Sequence, residues 1–169
     1  DQPTLAALAV KGWTRNWEKE KQQAAPVTPG MISILWRDAK AARNPEQETA
    51  AAVNTIAFLA LLRGGNLVPR GHTPFDPDRQ MRQRDLTFHA THATLTVRVE
   101  KNDQRKSQPR QIHLFRTIDD TCPYAILARQ LARNPDKNPE APLFQQQDGS
   151  PFRREQATNA LRRAAAAAA

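Results

Sequence analysis

The apolar positions of this chain fall first at helical spacing and then at strand spacing. Met31, Ile34, Leu35 and Ala39 recur at the interval that gathers side chains on one face of an α-helix. Thr28 stands at the N-cap of that helix, and Pro29 takes the first helical position, where a missing N–H breaks no bond. A second helix is predicted to restart at Asn44-Pro45-Glu46-Gln47, with Asn44 capping and Gln47 placed to bond back. It carries Val53, Ile56, Ala60 and Leu61 inward, and Gly64-Gly65 is expected to stop it.

The period then changes. Val68 to Arg84 is rich in proline and glycine and reads as loop. Leu86 and Phe88 share one face of a short strand. Leu95, Val97 and Val99 alternate with Thr94, Thr96 and Arg98 in a second strand, and Ile112 and Leu114 mark the returning one. The connection between them, Asn102 to Pro109, is basic, with Arg105 and Lys106 near its tip. Asp120-Thr121-Cys122-Pro123 opens another helix, which carries Tyr124, Leu127 and Leu131 and ends at Asn134-Pro135. Leu143-Phe144 precedes a turn at Asp148-Gly149, and Ser150-Pro151 is predicted to start a last helix through Arg163. The fold class is α+β: mainly helical, with a small antiparallel three-stranded sheet.

Three segments follow from this reading. Residues 1–25 form a polar, basic N-terminal extension that ends at Pro26-Val27-Thr28-Pro29. Residues 26–163 form one domain. Residues 164–169 are an alanine tail whose true side chains are expected to be unidentified, because the domain pattern breaks off there. Trp13 and Trp17, four residues apart, share a helical face in the extension. They read as a docking stripe, with stacking on nucleobases as the sharper alternative.

Composition narrows the function. At 169 residues and 19.0 kDa the chain has room for one core. A net charge of +8 and a pI near 10.4 suit a polyanionic partner, most simply nucleic acid. The single cysteine, Cys122, excludes an internal disulfide framework and a cysteine zinc site, and reads as a small buried residue near a helix start. No apolar run approaches the roughly 18–20 residues that span a bilayer, so no membrane partner is expected. The compartment stays open, with nucleus or mitochondrion preferred to secretion.

The candidate chemistry is sparse. Gly64-Gly65 has neither the spacing nor the Lys-Ser/Thr of a phosphate-binding loop. His89 and His92 flank a strand turn but lack a third ligand at suitable spacing, so they read as surface histidines and no metal is expected. His72 lies in the Pro/Gly loop. His113-Leu114-Phe115-Arg116 spells His-x-x-Arg, but on a strand positions i and i+3 face opposite ways. Tyr124 reads as core. Taken singly, Arg63 is a helix-end cation and Lys101 a solvated hairpin lysine.

Taken in order, the landmarks resemble the catalytic domain of tyrosine recombinases, the phage-integrase type. Pro26 to Leu35 looks like its opening helix. Arg63-Gly64-Gly65-Asn66-Leu67 is similar to the family's Arg-x-x-Glu-Leu. Asp85-Leu86-Thr87-Phe88 resembles the strand that follows, and Glu100-Lys101-Asn102-Asp103 resembles its hairpin Lys-Thr-Asp. Thr121-Cys122-Pro123 and Leu143-Phe144 with Asp148-Gly149-Ser150-Pro151 look like later landmarks, closest to recombinases of eukaryotic mobile elements. The similarity spans Pro26 to Arg163.

The resemblance implies a chemistry. In the family a tyrosine attacks a DNA phosphodiester, and arginines hold the non-bridging oxygens with a charge that is never lost. Arg63 would be the first phosphate clamp, and Lys101 the general acid that protonates the leaving oxygen. No metal or nucleotide cofactor is implied. Asn66 departs from the pattern, standing where the family has a carboxylate. The family's His-x-x-Arg helix and its nucleophile would follow Arg163.

Three functions compete on these grounds. The first is a recombinase-derived nucleic-acid-binding protein, non-catalytic in these residues. It would contact DNA or RNA backbones through Arg63, Arg98, Lys101, Arg105, Lys106 and Arg110, within a larger assembly such as an organellar ribosome. The second is an active recombinase completed by residues beyond this stretch. The third is a structural subunit that binds other proteins.

Overall fold

The structure, a computed structural model, describes residues 26–98 and 109–168. Helix α1, Pro29–Ala42, begins as its sequence requires: the Thr28 hydroxyl accepts the Met31 N–H at 3.3 Å. Its buried face is Ile32, Leu35, Trp36 and Ala39, so Met31 and Ile34 only flank the core. The Trp36 indole N–H donates to the Thr55 hydroxyl at 2.9 Å, which satisfies the one polar atom this large side chain buries.

Helix α2, Pro45–Leu59, is the central helix of the core. Asn44 caps it by accepting the Glu46 N–H at 2.9 Å, but the return bond expected from Gln47 is not made. Ala50, Ala51, Ala52, Val53 and Ile56 are all buried. Small side chains around most of its girth let other helices approach on several sides.

The end of α2 differs from expectation. Leu61 does not point inward: it is 87% exposed, with φ of +52°. The Leu62 N–H reaches back to the Ala57 carbonyl at 2.9 Å, and the Leu61 N–H to Phe58 at 3.3 Å. This is a Schellman ending, in which the residue just past the cap takes the left-handed conformation and its side chain swings outward. The glycine pair therefore stops nothing. It starts α3, Gly64–Leu67, a separate turn capped by Arg63.

A loop leads to a 3₁₀ turn at Gln83–Asp85 and then to the sheet. Strands β1 (Leu86–Phe88), β2 (His92–Val97) and β3 (Arg110–Phe115) lie side by side in that order, antiparallel throughout. The register sets Leu86 and Ile112 on either side of Leu95, and Ala93 opposite Leu114. These residues share the inner face with Val97. The period of two then places Thr87, Thr94, Thr96, Gln111, His113 and Phe115 on the outer face.

Helix α4, Pro123–Arg133, packs under the sheet with Ile126 and Leu127 buried, and Cys122 is buried at its N-cap as expected. Phe144 and Phe152 are fully buried across a turn in which Gly149 takes φ of +84°. Pro151 is held in a bridge to Gln145, so the last helix, α5, begins at Arg154 rather than at Pro151. It runs through the alanines to Ala168 and buries Ala157, Ala160 and Ala164 against α1 and α2. The Asn54 amide ties α2 to it by donating to the Ala157 carbonyl at 2.9 Å. The architecture is α+β with one small sheet. No helix among the described residues is long and apolar enough to cross a membrane.

Candidate nucleic-acid interface

Arg63 sits between the Schellman ending of α2 and the first residue of α3. Its carbonyl accepts the Asn66 N–H at 2.8 Å, and the Asn66 carbonyl in turn accepts the Met81 N–H at 2.9 Å. Leu67, just beyond, is buried. The backbone around Arg63 is thus fixed at several points, while its side chain is exposed and makes no hydrogen bond or ion pair with the described residues.

Arg154 joins it. The methylenes of Arg154 pass over Gly64, within 3.7 to 3.8 Å of where a β-carbon would stand. Its backbone N–H is fixed to the Pro69 carbonyl at 3.0 Å, and its guanidinium likewise has no hydrogen-bond or ion-pair partner among the described residues. Arg63 and Arg154 both line a groove of about 620 Å³ whose floor and walls include Val53, Ala57, Phe58 and Leu161. Leu61 stands at its edge. Two cations without hydrogen-bond or ion-pair partners among the described residues, over an apolar groove, are an arrangement that would take an anionic group. The neighbouring Glu155 accepts the Gly71 N–H at 2.8 Å, which, with the charges of Arg70 and Arg154, holds its carboxyl below the usual value. The sequence gives no signal for Arg154, because a helix starting at Ser150-Pro151 sets it inside the helix rather than at its start.

The other expected contacts divide. Arg98 is turned onto Asp85, which is 4% exposed: one terminal nitrogen donates to each carboxylate oxygen, the second at 2.6 Å. It also donates to the Pro77 carbonyl at 2.7 Å. Arg82 holds the same carboxylate through its backbone N–H at 2.8 Å and its Nε at 3.4 Å. Burial pushes the Asp85 carboxyl above its ordinary value, and the amide, charge and side chain of Arg82 pull it back. Arg98 is therefore a fold-holding cation before it is anything else. Arg110 opens β3 and is exposed. Lys101, Arg105 and Lys106 lie outside the described residues, as do Trp13 and Trp17.

The His-x-x-Arg spelling resolves as its strand setting predicts. His113 faces outward, its Nδ1 3.1 Å from the Thr94 hydroxyl. Arg116 lies on the opposite side, with its guanidinium 4.1 Å from the centre of the Tyr124 ring. Tyr124 itself is half-buried, edge-on to Phe88 at 4.9 Å. His89 and His92 gain a third histidine in His113, which the strand register carries to them. No group of three His, Cys, Asp or Glu among the described residues is arranged to hold a metal. The reason is visible at His89 and His92: their rings lie 4.5 Å apart at only 21°, so their in-plane lone pairs run alongside each other instead of converging.

A second hollow, of about 470 Å³, lies where α2, α4 and the Gln145–Asp148 turn meet. Its buried polar side chains are already matched. Thr49 donates to Gln130 at 3.2 Å, Gln130 to Asn134 at 2.8 Å, and Asn134 to the Leu143 carbonyl at 2.8 Å. This chain of amides holds the fold together.

No protein-family model, no curated protein and no solved structure matches the chain.

Proposed function

We propose that this is a nucleic-acid-binding protein of tyrosine-recombinase descent, which grips phosphate backbones through Arg63 and Arg154. The observation that carries the reading is the pair of exposed guanidiniums on one groove, without partners among the described residues, in a chain of net charge +8. The side chain that the family motif singles out, Arg63, is one of the two. Guanidinium forks match phosphate oxygens and stay charged at any physiological pH. Such contacts position a nucleic acid without reading its sequence.

The test is a salt titration. Fluorescently labelled duplex and single-stranded oligonucleotides are bound to the full chain between about 50 and 200 mM salt, where counterion release governs backbone binding. A steep loss of affinity with salt supports the reading. A flat response, or no binding at the lowest salt, overturns it.

A further inference from the structure

We propose that the outer face of the sheet is a stacking platform for the bases of single-stranded nucleic acid. The inference rests on the nucleic-acid reading above and concerns a different surface from the Arg63 groove. The strand register brings four rings together there. His89 stacks on His92 at 4.5 Å, His113 meets His92 edge-on at 5.1 Å, and Phe115 lies 5.5 Å from His92. These residues come from the β1–β2 turn, β2 and β3, and only the pairing of the strands makes them one patch.

Core packing does not account for the patch. Phe115 is 63% exposed, and His89 and His113 are exposed beside it. The inner face already holds the other apolar side chains of the three strands. Metal binding does not account for it either, because the stacked rings do not converge their nitrogens. What the patch offers is open ring face.

The charge around it selects the occupant. None of the three strands contains Asp or Glu. A face of rings and hydroxyls to which the strands bring no carboxylate, on a chain of net charge +8, suits a polyanion with flat groups to stack. In a duplex the bases stack on each other and show no free faces, whereas an unpaired strand can lay them on protein rings. The lowered pKa of His92, caused by its desolvation and by His89 and His113, keeps that imidazole neutral and suited to stacking at neutral pH.

The experiment compares the full chain with surface variants, using a labelled oligothymidylate of about twelve nucleotides, about the site size of one such binding surface, and a duplex of equal length. Phe115→Ala combined with His113→Ala is expected to lower single-strand affinity about tenfold or more, on the scale of lost base stacking. Duplex binding should stay within about twofold. Phe115→Tyr should keep single-strand affinity and Phe115→Leu should not, which separates stacking from simple apolar contact. Gln111→Glu should weaken the single strand without removing a ring. Circular dichroism confirms that these exposed substitutions leave the fold intact. Unchanged single-strand affinity in the Ala pair, or equal loss for duplex and single strand, overturns the platform and leaves the Arg63 reading standing. Absence of all nucleic-acid binding at low salt removes both.

Discussion

Arg98 clasps Asp85 with both terminal nitrogens, and so joins the residue just before β1 to the residue just after β2. The two strands are antiparallel neighbours, and this ion pair fastens one end of their ladder. Arg82, itself buried, approaches the same carboxylate and extends a second bond to Glu140 at 2.7 Å. Asp85→Asn would leave two guanidiniums facing a neutral amide, one of them in the interior. Breaking a buried pair from one side is costly, and the expected loss is about 3 kcal/mol. For a chain of this size that lowers Tm by roughly 6–12 °C, measurable by thermal denaturation. A shift under about 2 °C would mean that solvent already shares the site.

Leu61 carries the opposite prediction. A β-carbon at φ of +52° crowds the following carbonyl, at a cost of about 1–2 kcal/mol. The side chain recovers almost nothing by burial, since it stands in solvent. Glycine relieves the strain but adds freedom to the unfolded chain, which offsets part of the gain. Leu61→Gly should therefore stabilise the fold by about 0.5–1 kcal/mol, read as a rise in the urea midpoint. Destabilisation would show that the freedom glycine adds to the unfolded chain outweighs the strain it relieves.

These two sites mark where the sequence stopped being legible. Thr28 and Asn44 were readable because a cap acts on an amide two or three residues away. Leu86, Leu95, Ile112 and Leu114 were readable because the inner face of a sheet repeats every second residue. Nothing within a few residues of Leu61 tells it to leave the helix; the glycines three positions on gave the stronger local signal and misplaced the stop. Arg98 is one more basic residue until Asp85, thirteen positions earlier, is known to lie opposite. His113 joins His92 only through strand register, and Arg154 reaches Gly64 only through the packing of α5. Of the two arginines that the sequence offered as phosphate contacts and the structure describes in detail, Arg63 is exposed and Arg98 is engaged with Asp85.

His92 makes stability depend on pH. Its desolvation, with His89 and His113 facing it, lowers its pKa from the ordinary value near 6.5. The Thr91 hydroxyl lies 3.2 Å from its Nδ1, and the remaining close neighbour, Phe115, is uncharged. The unfolded chain thus takes up the proton at a higher pH than the folded one. The favourable contribution is complete above about pH 6.5 and declines as pH falls below it, until folded His92 is protonated as well. Tm measured from pH 7.5 down to 5 should fall more for the native chain than for His92→Gln, which cannot take the proton. Parallel curves for the two proteins would assign the acid sensitivity elsewhere.

The phosphate reading makes its own quantitative demand. If Arg63 and Arg154 each neutralise one phosphate on a duplex, removing either should reduce the slope of log K against log salt by about 0.9. Arg63→Ala and Arg154→Ala should weaken binding to unrelated duplex sequences alike, because backbone contacts carry no base information. Both side chains are exposed and without partners among the described residues, so Tm should hardly move. Arg98→Ala is the informative control. It should lower Tm through Asp85, and its salt slope should stay that of the native chain when measured well below its melting point. A slope reduced by Arg98→Ala and untouched by Arg63→Ala would move the interface away from the groove to the end of the sheet.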